Sequence, residues 1–173
     1  MPLHIIIDGY NLIHQSATFH EFHAADIERA REALVDALAG YKRLKSHKIT
    51  VVFDAWNAPP GSTRKDRRKG IHVRFSSTRE TADHVIKRMA AGEREKALVV
   101  SSDREIVNYA ESQGAATISS PLFEERIHLA SADMADETDP SIHSGWLHTT
   151  KKKGPRRRLS KRQRRNRLKL DKL

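Results

Sequence analysis

The chain has no cysteine, which removes disulfides and thiolate-held metals from consideration. It has no apolar run long enough to span a bilayer and no charged-then-apolar leader. A soluble, cytoplasmic protein is therefore expected. Its 8 glycines never fall into Gly-x-x-x-x-Gly-Lys-Ser/Thr or into Gly-x-Gly-x-x-Gly after the first apolar run, so neither the triphosphate cradle nor the dinucleotide fingerprint is present. The 10 histidines include no His-Glu-x-x-His pair, which disfavours a zinc peptidase, and Ser101-Ser102 is not framed by the Gly-x-Ser-x-Gly elbow of a serine hydrolase.

What is present is 173 residues, 38% of them hydrophobic, enough to bury the core of one ordinary domain with an appendage. The formal charge of +10 is unevenly placed. Residues 151–173 hold 13 of the 32 Lys/Arg and one of the 22 Asp/Glu, leaving the first 150 residues near −2 and the tail near +12. A neutral domain with a basic arm binds polyanions through a separable tether, unlike a uniformly basic protein. The expected division is a domain over 1–131, a linker over 132–150 in which Trp146 and Leu147 are possible anchors, and a basic tail over 151–173. That tail is too charged to bury anything alone and is expected to be disordered, or a transient helix, in isolation.

The pattern that organises the domain is apolar runs that stop at acids. Leu3 to Ile7 is such a run and ends at Asp8-Gly9-Tyr10-Asn11; Lys48 to Phe53 ends at Asp54; Ala97 to Val100 ends at Ser101-Ser102-Asp103. Runs of this kind suit central strands of a parallel sheet, where ligands bind beyond the carboxyl ends. Taken alone, Asp8 and Asn11 also suit a simple turn into a helix; the recurrence of the pattern argues for a site.

Helical spacing runs from Ala24 to Leu44, after a polar segment holding His14, His20 and His23. Ala55 to Gly70, with Asn57, Pro59, Pro60 and Gly61, reads as an irregular, strongly basic loop. Ile71 to Phe75 alternates like a strand at or near a sheet edge. Ser77 to Glu80 has the spacing of a capping box for a helix ending before Gly92, which places Glu80 and Asp83 on one side of its first turns. Ser102 to Glu105 has the same spacing ahead of a helix stopped by Gly114. A short strand over 115–119 and a helix over 121–130 follow. Alternating strands and helices predict an α/β sandwich with a mainly parallel sheet.

In that arrangement Asp8, Asp54 and Asp103 converge, and Glu80 or Asp83 approaches from a helix start. Neighbouring ionised carboxylates repel, so either one is protonated or a cation compensates them. Mg²⁺ or Mn²⁺ prefers oxygen ligands, retains waters and bridges to phosphate, which is the chemistry of phosphodiester hydrolysis.

Ile-Ile-Ile-Asp8-Gly-Tyr-Asn11, Val-Val-Phe-Asp54-Ala, Glu80-Thr-Ala-Asp83-His-Val-Ile and Ser101-Ser102-Asp103-Arg104-Glu105 occur in order. Together they resemble the YacP-like group of NYN domains in the PIN-like nuclease superfamily. The resemblance implies a PIN-like three-layer α/β/α sandwich and a metal-dependent endoribonuclease, in some members acting on mRNA in association with the ribosome. It implies Asp8, Asp83 and Asp103 as the main metal-site carboxylates, Asn11 as a site-orienting amide, and Asp54 and Glu80 as supporting acids. Glu80 belongs either to that site or to its capping box. Arg104 either contacts the scissile phosphate or is a surface arginine of a first helical turn.

The candidates for holding RNA, whether mRNA or rRNA, are Arg64, Lys65, Arg67, Arg68 and Lys69 in the basic loop and Lys151, Lys152, Lys153, Arg156, Arg157, Arg158, Lys161, Arg162, Arg164, Arg165 and Arg167 in the tail. Such residues supply salt-sensitive phosphate affinity and no base readout. The alternative for the tail is a non-specific polyanion arm. For the whole chain the alternatives are a non-catalytic RNA- or ribosome-binding protein, which has no use for clustered acids, and a phosphoaspartyl receiver or phosphatase. An Asp-x-Asp phosphatase needs an acid where Tyr10 stands, and a receiver has no use for the cationic tail.

Overall fold

The computed structural model describes residues 2–55, 58, 64–136 and 160–173, with main chain only at 22–25, 133–136, 161, 162 and 165. Asn57, Pro59, Pro60, Gly61, the anchors Trp146 and Leu147, and the cations from Lys151 to Arg158 lie outside the described residues.

Six strands form one sheet. In chain order they are β1 (His4–Asp8), β2 (Lys48–Phe53), β3 (Lys65–Arg68), β4 (Ile71–Phe75), β5 (Ala97–Val100) and β6 (Ala116–Ile118), and in space β3-β4-β2-β1-β5-β6. Every pairing is parallel except β3 with β4. Helices α1 (Gly9–Gln15), α2 (Ala17–Ala25), α3 (Ile27–Leu44), α4 (Ala82–Glu93), α5 (Arg104–Ser112), α6 (Ser120–Asp136) and α7 (Lys161–Leu170) complete the chain. The architecture is the expected α/β/α sandwich.

The apolar runs behave as central strands because both their faces are covered. Along β1, Ile5 and Ile7 join Leu12, Leu34, Leu38, Val51 and Phe123 on one side. Ile6 joins Val52, Val85, Ile86, Val99 and Ile106 on the other. Each is fully or almost fully buried, worth about 1.5–3 kcal/mol per large aliphatic side chain. Ile7 is level with Val51 and Val100, so the three central strands finish together and deliver their succeeding residues to one rim.

The structure departs from the expectations at several places. The His-rich segment is helical: Asp8 caps α1, and Asp26 opens α3 by accepting from the Glu28 amide at 2.8 Å, so the helix expected from Ala24 starts at Ile27. The basic loop contains β3, whose Lys65, Asp66, Arg67 and Arg68 pair with Arg74, Val73, His72 and Ile71. The two-residue turn joining β3 to β4 places Lys69 at φ 50° and Gly70 at φ 84°, the geometry whose twist matches flanking strands. Lys42 fastens it from α3 by donating to the Gly70 carbonyl at 2.7 Å.

The capping box expected at Ser77–Glu80 does not form. Thr81 caps α4, its hydroxyl accepting from the His84 amide, and the helix runs through Gly92 to Glu93. Helix α6 continues to Asp136, past the expected boundary at 131. The end of the tail is ordered. Ser160 and Gln163 make a reciprocal cap for α7, Asn166 Oδ1 accepts from the Thr117 amide of β6 at 3.2 Å, and Leu173 is buried, its carbonyl accepting from the Tyr41 hydroxyl at 3.0 Å. Docking supplies the stability that the charged helix lacks alone.

Candidate active site

Asp8 is the last residue of β1 and only 8% exposed. Its Oδ1 accepts from the Asn11 amide at 3.2 Å and its Oδ2 from the Ser101 hydroxyl at 3.3 Å. It is thus both a helix cap and a member of a carboxylate group. Burial, with Asp83 and Asp54 adding like charge, pushes its carboxyl up to about 6 despite those two hydrogen bonds. Gly9 is required next to it: a Cβ there would lie 2.2 Å from the Phe53 ring.

Asp83, in the first turn of α4, is also raised, first by burial and then by Asp103, with Asp54 and Glu105 adding to the repulsion and Lys87 opposing it. Lys87 is held in turn by Glu105. Asp103 caps α5, its Oδ1 accepting from the Glu105 amide at 2.7 Å and the Ile106 amide at 3.4 Å, so Asp103 and not Ser102 opens this helix. Asp54 accepts from the Ala82 amide at 2.7 Å and, at 3.5 Å, from the Ser76 hydroxyl. It joins the end of β2 to the start of α4, one residue before Asp83.

The structure therefore brings Asp8, Asp54, Asp83 and Asp103 to one rim. It does not bring Glu80 there. Glu80 is gripped by both terminal nitrogens of Arg88, one at 3.2 Å, and Arg88, Arg74 and His84 are the charges that hold its carboxyl low. It precedes α4, so it shares no helical face with Asp83. Asn11 sits at the rim as a brace: its Oδ1 accepts from the Ser102 amide at 2.9 Å and the Ser120 hydroxyl at 2.7 Å.

The sequence offers Ser102 as a helix cap and shows Ser101 only within a motif, and it gives none of these serines a role at the rim. Ser101 is fully buried and links two acids, donating to Asp8 while accepting from the Asp103 amide at 3.1 Å. Ser102 accepts from the Ser120 amide at 3.2 Å, and Ser76 steadies Asp54. A signal existed: Phe75, Val100 and Ile118 are each followed by Ser-Ser, placing hydroxyls at the carboxyl ends of β4, β5 and β6. Tyr10 and Arg31 were also missed; Arg31 Nη1 donates to the Tyr10 hydroxyl at 3.0 Å.

The basic candidates are spread across the fold. Arg104 is exposed beside Asp103. The Arg64 carbonyl accepts from the Phe75 amide at 3.0 Å, which puts Arg64 and Lys65 at the acid end of the hairpin. Arg68 and Lys69 lie at its far end, bound to Asp66 at 2.9 Å and Asp36 at 2.5 Å. Arg164 and Arg167 are carried on α7, at the opposite edge of the sheet.

The donor chemistry at the rim fits a hard divalent cation. All the groups are oxygens, and two carboxyls are raised by burial and mutual repulsion, which a cation relieves. Among the described residues no group of three or more His, Asp or Glu side chains is placed to hold a metal ion as a cage of protein ligands. A closed cage is not the usual Mg²⁺ arrangement, which takes one or two carboxylates with waters and substrate phosphate.

The profile of the YacP-like NYN domain matches residues 5–172. This chain belongs to the YacP-like NYN family. The family match takes in α7, consistent with the docking of that helix on β6. The chain is 31% identical over 86 residues to the "Uncharacterized protein YacP" of Bacillus subtilis strain 168, the aligned part being 50% of each chain, so it spans about half the length of the curated relative it matches. Its fold is similar to the crystal structure of Rae1 (YacP) from Bacillus subtilis, with a TM-score of 0.67 and 25% identity over 80% of each chain. A point mutant of that protein is similar in fold at a TM-score of 0.65 and 24% identity, over 77% of this chain and 79% of the other.

Proposed function

We propose that this NYN-family protein is a Mg²⁺- or Mn²⁺-dependent endoribonuclease of the cytoplasm that hydrolyses RNA phosphodiester bonds, including RNA held on ribosomes. The observation that carries this reading is the raised Asp8 and Asp83 carboxyls facing Asp103 and Asp54 at one rim. Such a concentration of negative charge opposes a polyanionic substrate unless cations bind with it.

Asp8, Asp83 and Asp103 are the residues to hold the metal; when bound, it supplies charge neutralisation for the scissile phosphate and activation of the attacking water. Each protein group has a narrower task. Asp8 presents the carboxyl whose partners are fixed by Ser101 and Asn11. Asp54 acts as a positioning residue, locking the first amide of α4 so that Asp83 faces the rim. Ser101 keeps Asp8 and Asp103 in step. Asn11 ties the start of α1 to the β5–α5 loop and to α6. Arg104 stands at the rim as the cation available to a substrate phosphate, and Arg64 and Lys65 at the same end of the hairpin extend that role.

The test is cleavage of RNA containing both single-stranded and structured regions by the wild type, Asp8→Asn and Asp103→Asn, with Mn²⁺, Mg²⁺ or excess EDTA, with and without ribosomes. Metal-dependent products lost in both variants support the reading. No cleavage under any condition, with RNA binding intact, replaces it with the non-catalytic binder.

A further inference from the structure

Helix α3 and the β3–β4 hairpin enclose a cavity of about 250 Å³ on the face of the sheet opposite α4. Its apolar floor is Val35, Phe53, Val73 and Phe75. Phe53 and Phe75 immediately precede Asp54 and Ser76, so the cavity adjoins the acid rim through two strand ends. The volume lies below the roughly 300–1,000 Å³ of pockets for drug-sized ligands and suits a single planar group.

Arg31 makes the wall specific. It is 7% exposed, lies 5.7 Å from the Phe75 ring centroid and donates to the Tyr10 hydroxyl. A guanidinium over an aromatic ring gives a flat cationic surface for stacking and for in-plane hydrogen bonds. Glu28 and Glu32 flank it on the same face of α3 and supply carboxylates, which only accept. Arg68 and the Lys69–Asp36 pair close the end away from the rim.

A ligand for this wall must be planar and offer acceptors on one edge and paired N–H donors on another. Among the nucleobases guanine does so: O6 and N7 suit a guanidinium, while N1–H and the 2-amino group suit a carboxylate. Adenine and cytosine pair a donor with an acceptor on the edge where guanine has two donors, and uracil offers one N–H between two carbonyls.

We propose that this cavity is a guanine subsite for an unpaired nucleotide of the RNA substrate, read by Arg31 and by Glu28 or Glu32. The assignment deepens the nuclease reading by naming a base preference, and its test is independent of cleavage. Binding is measured by calorimetry in EDTA for GMP, IMP, AMP, CMP and UMP, and for the pentanucleotides UUGUU and UUAUU.

The expected result is at least about tenfold tighter binding of GMP than of the other nucleotides, IMP included because it lacks the 2-amino group, and the same preference for UUGUU over UUAUU. Arg31→Met, and one of Glu28→Gln and Glu32→Gln, should remove it. Because Arg31 is buried, the exposed glutamates keep the test valid if Arg31→Met fails to fold. Glu125→Gln on α6 is the charge-matched control. Equal binding of all bases, or a GMP preference without a pentanucleotide preference, overturns the proposal even if metal-dependent cleavage is found. Guanine selectivity without any cleavage leaves the subsite standing and sinks the nuclease.

Discussion

The two ends of β1 solve the burial of a titratable group in opposite ways. At its start His4 is 5% exposed, with Nδ1 2.9 Å from Glu93 Oε1 and Nε2 2.8 Å from the Thr50 hydroxyl. Burial lowers His4 more than Glu93 raises it, while the same contact lowers Glu93. The consistent state is a neutral ring whose Nδ1–H donates to an ionised Glu93 and whose Nε2 accepts from Thr50. Four residues later Asp8 is as buried, yet its charged neighbours are all acids and its carboxyl is raised. At one end the buried group meets a partner of the opposite kind, Glu93; at the other the charges that act on it, Asp83 and Asp54, are acids like itself. That difference separates scaffold from site on a single strand.

The sharpest way to break the comparison is to exchange the consequences. Asp8→Asn, Asp83→Asn and Asp103→Asn should each lower the rate of metal-dependent RNA cleavage by about 10²–10³-fold or more, whereas His4→Ala leaves the rate of the folded fraction unchanged. Single-turnover assays on protein shown to be folded decide it; an equal loss in the His4 variant removes the distinction.

Next in size is stability. His4→Ala should cost about 2–4 kcal/mol in urea unfolding, because it removes a packed ring and strands Thr50 and Glu93. Asp8→Asn should act the other way, raising stability at pH 8 by about 1–3 kcal/mol. The sign follows from a carboxyl raised from its usual value to about 6 in the folded state. The native protein binds that proton more tightly than the unfolded chain, so this contribution is full below about pH 4 and is lost as pH rises through 6. Wild-type stability measured across pH 4–8 should carry this component and the variant should not. Mn²⁺ at pH 8 should raise the wild-type Tm more than that of Asp8→Asn. An effect of similar size belongs to the residue next to the acid: Gly9→Ala, pressed against Phe53, should cost about 1–3 kcal/mol, and GMP binding measured on the same variant reports whether the Phe53 floor of the cavity has moved.

What could be read beforehand was whatever one strand or helix decides by itself. β2 and β5 were legible to the residue because β-branched runs covered on both faces have no other comfortable place. So were the acids that end them. β3 was hidden because Lys65-Asp66-Arg67-Arg68 has no apolar period, its strand being made by pairing with β4. The cap of α4 was misplaced because Ser77, Thr78 and Thr81 are all competent, and the choice is settled by Asp54 taking the Ala82 amide across 28 residues. The roles of Ser101 and Ser120 depend on β1, β5 and β6 lying in sequence across the sheet, which no local pattern states. A helix in the tail was open to the sequence, but its docking was not, because composition describes the solvent face of α7 while Asn166 and Leu173 make the docking contacts.

The position of the basic elements also sets a length scale. β3 borders one edge of the sheet and α7 the other, with the acid rim between them. Six strands at about 4.8 Å spacing put those edges about 24 Å apart, and at the roughly 3.4 Å rise of a stacked strand this is about seven nucleotides. Under the nuclease reading proposed above, that span sets a minimum substrate length of about seven nucleotides for a strand that touches both edges while its middle lies over the carboxylates.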